Sequence, residues 1–293
     1  MTTSAPATAK ELLAAIREPW INFRLAAAAI GEEGLGVKIG SGWTFKEMLA
    51  HVAAWHGITA RRLREMRACG APVDPPEIAD ADAFNARAAE AAGARTVEEV
   101  LEALDASAQA LTVEIELLTD AQVAAADGWA AAVVASNTFE HYDEHRHELM
   151  AAVPRTRSAL EGRVDAGWRR FRTLVEAADL DRTTSSGWTG KAVVAHAAHW
   201  LEHLGPELRL RLNGQRGPAP DIQAENAKSA EEARGMSCAQ LIWRLDAAHG
   251  ELMGVLREVA ADAEVPFLAI RAVAGETYDH FREHYQELGE IRR

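Results

Sequence analysis

The chain has 293 residues, 48% hydrophobic, 6% aromatic and 26% charged, a globular composition with room for two ordinary domains. Its formal net charge of −13 repels phosphate backbones and excludes nucleic acid as the expected partner. The two cysteines, Cys69 and Cys238, make no disulfide framework, and no apolar run approaches the ~18 residues of a membrane span, so no membrane partner is expected.

The N-terminus, Met1-Thr2-Thr3-Ser4-Ala5-Pro6, has neither the basic nor the apolar region of a signal peptide, and the expected compartment is the cytoplasm. Helix formers dominate the rest and no strand pattern emerges. A first helix is expected near residues 8–30. Gly42-Trp43-Thr44-Phe45-Lys46 opens a second near 44–68, where Thr44 and Glu47 form a capping box. His51 and Trp55 lie one turn apart on it. A long connection follows, marked by Pro72, Pro75 and Pro76 and carrying Asn85-Ala86-Arg87. Such a connection permits the second and third helices to run parallel and can cover a pocket. Thr96 and Glu99 cap a third helix near 96–118. A fourth, near 129–151, carries Thr138-Phe139-Glu140-His141-Tyr142-Asp143-Glu144-His145, and Pro154 marks a stop.

The pattern then recurs, with helices expected near 156–178, 189–212, 237–259 and 266–291. Gly187-Trp188-Thr189-Gly190-Lys191 repeats the earlier word, followed at the same spacing by His196 and Trp200. Thr189 keeps the cap, but Ala192 has lost the box partner; Ser237 and Gln240 box the third helix. The second long connection has Gly214, Gly217, Pro218 and Pro220 and carries Asn226-Ala227-Lys228. Thr277-Tyr278-Asp279-His280-Phe281-Arg282-Glu283-His284 closes the copy. The offset drifts from 145 at the first motif to 139 at the last, which reads as short loop deletions. The chain is therefore all-α, two tandem four-helix bundles, residues 1–153 and 154–293. The acidity is uneven, 12 Lys+Arg against 23 Asp+Glu in the first and 19 against 21 in the second.

Histidines at i and i+4 share one helix face and can reach a single ion. His141 with His145, and His280 with His284, have this spacing, and His51 and His196 are the repeated third ligands. An isolated HxxxH is usually unremarkable surface or core. Here six of eleven histidines fall at repeat-equivalent positions. Three imidazoles favour zinc, nickel, iron or copper over magnesium or calcium, with zinc or nickel foremost, and leave a coordination position open. His56, His147, His199, His203 and His249 have no repeat partner and read as packing or surface residues. Trp43, Trp55, Trp188 and Trp200 are more often packing, but Trp55 and Trp200 can wall the pocket. Asn85 and Asn226 are either Asx turns or helix caps, or polar groups facing the site. Asn137 and Glu276, one turn before the first ligand of the fourth helix, are candidates to orient an imidazole.

The GWT word, the AHxxxW helix and the later HxxxH resemble the DinB-like superfamily, which includes the YfiT-like metal-dependent hydrolases and the N-terminal domain of mycothiol-dependent maleylpyruvate isomerase. The resemblance covers nearly the whole chain, once per half. It implies an up-down-down-up bundle with a metal held by His51, His141 and His145, and again by His196, His280 and His284. It also implies a small thiol such as mycothiol as co-substrate. The expectation is a metal-dependent transferase, isomerase or hydrolase acting on a small molecule, with no catalytic residue assignable beyond the metal; the alternative is a metal-containing protein that binds a small molecule without turnover. The two copies are expected to pack as an internal pseudo-dimer in a monomeric chain.

Overall fold

In the computed structural model, residues 6–40 and 42–293 are described; Met1 to Ala5, on which most of the signal-peptide reading rests, lie outside them. The chain divides into two compact units, Met1–Ala152 and Val153–Arg293. It is all helical, and the only extended pairings among the described residues are isolated bridges such as Lys38 with Thr44 and Thr183 with Thr189. No helix among the described residues is long and apolar enough to cross a membrane.

In the first unit, α1 (Ala9–Leu35) packs on α4 (Val97–Glu116), α5 (Asp120–Asn137) and α6 (Phe139–Ala152), while α2 (Phe45–Cys69) packs on α3 (Ala81–Gly93), α4 and α5. The second unit repeats this. There α7 (Arg157–Ala177) meets α10 (Cys238–Arg257), α11 (Phe267–Glu276), α12 (Tyr278–Glu283) and α13 (Tyr285–Glu290), and α8 (Gly190–Leu212) meets α9 (Ile222–Arg234), α10 and α11. An ion pair recurs between the first and third long helices of each unit. The Arg24 guanidinium donates to both oxygens of Asp105 at 2.7 and 3.1 Å, as Arg172 does to Asp246 at 2.8 and 3.3 Å.

An apolar cluster that includes Leu12, Leu63, Met66, Leu111 and Ile115 packs part of the first unit. Leu63 and Met66 lie about 18 to 22 Å beyond His51 along α2, at 1.5 Å per residue. The cluster therefore occupies one end of that helix and leaves the other for polar chemistry.

Two features depart from the sequence-based expectation. The long connections contain helices, α3 and α9, started by Asp80 accepting from the Ala83 amide at 2.9 Å and Asp221 accepting from the Ala224 amide at 3.1 Å. Alanine-rich segments propagate once capped, so Asn85 and Asn226 sit within helices and are neither Asx turns nor caps. The fourth helix is also broken in both copies, at Thr138 (φ −129°, ψ −104°) and Thr277 (φ −125°, ψ −108°). Each threonine hydroxyl donates back to the carbonyl four residues earlier, of Val134 or Val273. This backbone bond competes with the helix ladder. In both copies the break falls three residues before the first histidine of the HxxxH pair.

Candidate metal centres

The Gly-Trp-Thr word builds the approach to each centre. Gly42 and Gly187 adopt φ of +88° and +87°, a left-handed conformation favouring glycine. The turn closes when the Ile39 amide donates to the Trp43 carbonyl at 2.7 Å, and the Thr184 amide to the Trp188 carbonyl at 2.8 Å. The threonine then caps α2 or α8 through its hydroxyl. The tryptophan lies against the ligand-candidate imidazole, 5.3 Å between ring centres for Trp43 and His51 and 5.1 Å for Trp188 and His196.

His51 Nε2 lies 2.9 Å from His141 Nε2, and His145 Nε2 lies 3.2 Å from the same atom. In the second unit His196 Nε2 is 2.8 Å from His280 Nε2, and His284 Nε2 is 3.3 Å from it. Each trio brings three Nε2 atoms to a common point. With zinc–nitrogen bonds of about 2.0–2.1 Å, tetrahedral ligands sit roughly 3.3 Å apart, close to the spacing found. Burial, with His145 adding repulsion, pushes His51 down to about 4; burial and the neighbouring histidines push His141 down to about 3. His196 falls to about 4, mainly by burial, and His280 lies well below the ordinary imidazole value. These rings are therefore neutral at pH 7, the form that ligates. The Nδ1 atoms of His51, His141, His196 and His280 have no hydrogen-bond partner. Three imidazoles, two of them buried, converging through one nitrogen each fit a divalent transition metal, and either cluster could hold one.

Trp55 and Trp200 border the centres, their rings 6.5 and 6.3 Å from His51 and His196. Trp55 Nε1 donates to Asn85 Oδ1 at 2.9 Å, and Trp200 Nε1 to Asn226 Oδ1 at 3.0 Å. Each asparagine also favours the charged form of His51 or His196 and partly opposes the lowering of its pKa. The connection helices thus brace the pocket wall. Asn137 does not orient His141: its amide donates to the Val133 carbonyl at 2.8 Å. Glu276 lies 3.9 Å from His280 Nδ1, and burial raises its own pKa to about 8.

A carboxylate that sequence reasoning missed is better placed. Glu287 Oε2 lies 2.7 Å from His284 Nδ1, while Glu148 lies 4.0 Å from His145 Nδ1. Extending the 139-residue offset three positions past the HxxxH pair would have exposed this matched acid. A carboxylate on the far nitrogen fixes the tautomer and leaves Nε2 free for an ion.

Gly167 carries a prediction about the second centre. A Cβ there would lie 2.5 Å from Tyr278 Cβ and 2.8 Å from Tyr278 Cα, two residues before His280. We expect Gly167→Ala to cost about 1–3 kcal/mol by overpacking and to weaken metal retention by the second unit only. Chemical denaturation and metal analysis check this; unchanged stability would contradict the close approach.

His56 is a satisfied core histidine. Its Nδ1 faces Ser107 Oγ at 3.1 Å, its Nε2 faces Tyr142 Oη at 2.8 Å, and burial holds its pKa at about 3. The second copy has Leu201 and Phe281 at the matching positions. As pH falls below 6.5 the unfolded chain protonates this histidine first, so its contribution is complete above pH 6.5 and is lost toward pH 3. One proton is worth about 1.4 kcal/mol per pH unit. Urea melts between pH 4.5 and 6.5 should therefore show a shallower slope in the His56→Leu, Tyr142→Phe protein; identical slopes would contradict the assignment.

A groove of about 490 Å³ lined by residues including Trp20, Asp105 and Tyr142 contains none of the six clustered histidines. Residues 15–149 match the family model of the DinB superfamily, and residues 162–288 match that of the mycothiol maleylpyruvate isomerase N-terminal domain. No curated protein and no solved structure matches the chain.

Proposed function

Because the chain belongs to the DinB superfamily, its second half being of the mycothiol maleylpyruvate isomerase N-terminal type, we propose that it is a metal-dependent enzyme acting on a small molecule with a low-molecular-weight thiol. The observation that carries this is the duplicated convergence of three imidazole Nε2 atoms. His51, His141 and His145 would hold one ion, and His196, His280 and His284 the other. A divalent ion bound this way supplies Lewis acidity toward a water or thiol at its open position.

The chain's own residues supply the setting. Trp43 and Trp188 lie against the ligand rings, and the Trp55–Asn85 and Trp200–Asn226 pairs tie the pocket wall to α3 and α9. The engaged Glu287 makes the second centre the better oriented of the two. Cys69 is exposed and Cys238 partly so, both are free, and neither belongs to a trio, so the thiol comes from solution. A screen of small electrophiles and isomerisable acids, with mycothiol or a surrogate thiol, with and without added zinc or nickel, tests the reading. Turnover requiring both metal and thiol supports it. Tight small-molecule binding without turnover would favour sequestration instead.

A further inference from the structure

His199 and His203 fall outside the repeat, one turn apart on α8, and α9 brings Glu225 to them. His199 Nε2 lies 2.9 Å from Glu225 Oε2, and His203 Nε2 lies 3.6 Å from the same oxygen. One ligand atom from each residue falls within 4.8 Å of the other two. The His199 side chain is only 4% exposed. Despite their separation, His199 Nε2 and Glu225 Oε2 do not meet hydrogen-bond geometry, and neither atom has another hydrogen-bond partner. Burial, aided by His203, Lys228 and Arg244 and opposed by Glu225, lowers the His199 pKa from the ordinary imidazole value. A ring nitrogen and a carboxylate oxygen, close together but not aimed at one another, are placed as two ligands of a shared ion are placed.

The first copy gives the contrast. Counted from His51 and Asn85, its matching residues are Ala54, Ile58 and Phe84, and Phe84 packs edge-on against Trp55 at 5.0 Å. Three positions on two helices that are apolar in the first copy carry metal-ligand types in the second.

We propose that His199, His203 and Glu225 form a further divalent-metal site, present in the second unit and absent from the first. Two imidazoles and one carboxylate suit a first-row transition ion such as zinc and leave positions open for water or ligand. The site adjoins the three-histidine centre of its own unit: the Trp200 ring lies 6.3 Å from His196, 5.8 Å from His199 and 5.7 Å from His203.

Equilibrium dialysis against micromolar zinc, read by elemental analysis, tests the site on the full chain, His203→Ala and Glu225→Gln. The His203 side chain is 43% exposed and glutamine matches the shape of glutamate, so both variants should fold, which circular dichroism verifies. Each should bind one zinc fewer than the unsubstituted protein, whatever the three-histidine centres retain. The loss should add to that of His280→Ala in the combined His203→Ala, His280→Ala protein. Equal zinc content in the unsubstituted protein and both variants overturns the site. A loss confined to His280→Ala would uphold the three-histidine centre alone.

Discussion

His280→Ala is expected to strip one ion from the second three-histidine centre, and His141→Ala one ion from the first, each leaving the other centre filled. The cause is the central position of these rings: His141 Nε2 is the atom nearest both His51 and His145, and His280 Nε2 is nearest both His196 and His284. Four-ligand structural zinc is bound by about 10–16 kcal/mol, so one ligand is worth roughly 3 kcal/mol or about a hundredfold in affinity. The two remaining imidazoles should then lose zinc to mild dialysis. Both substituted rings are buried, at 6% and 8% exposure, so alanine also leaves a cavity. His145→Ala and His284→Ala, closer to the surface, control for that. They should lose the same ion with less loss of stability. A variant that keeps its ion while unfolding more easily would assign these histidines to packing alone.

The second large effect concerns the source of the thiol. Turnover should vanish without added thiol and persist in the Cys69→Ala, Cys238→Ala protein, because neither cysteine belongs to a three-histidine cluster. Substitution at the centres should reduce kcat/KM by orders of magnitude. Because Glu287 engages His284, the larger share of activity is expected at the second centre, and His196→Ala should cost more than His51→Ala. Glu287→Gln should reproduce part of that loss while leaving the fold intact. Abolished activity in the double cysteine protein, with metal content unchanged, would instead place the nucleophile on the chain itself.

Much of this was legible in the sequence because duplication turned weak signals into matched ones. His51 and His196 are ordinary helical histidines taken singly; their shared spacing from Gly-Trp-Thr and from the tryptophan one turn on marked them as a pair. The long helices followed from the capping pairs Thr44–Glu47, Thr96–Glu99 and Ser237–Gln240, whose reciprocal hydrogen bonds the structure contains. The helices α3 and α9 were hidden because Pro75 and Pro220 nearby signal a loop more strongly than an aspartate cap signals a start. The breaks at Thr138 and Thr277 left no mark on the hydrophobic pattern; they arise from hydroxyl bonds to the preceding turn. His199 and His203 carry no such signal in the sequence, because the repeat offers them no partner. Their significance depends on Glu225, which only the folding of α9 against α8 brings near.

X-ray absorption at the metal edge, on protein purified without chelator and loaded with zinc, tests the central claim most directly. The account predicts a first shell dominated by imidazole nitrogen at about 2.0–2.1 Å, with at least two ions per chain and the nitrogen signal falling in the combined His141→Ala, His280→Ala protein. A sulfur-dominated shell, or a chain that takes up no zinc, would contradict it.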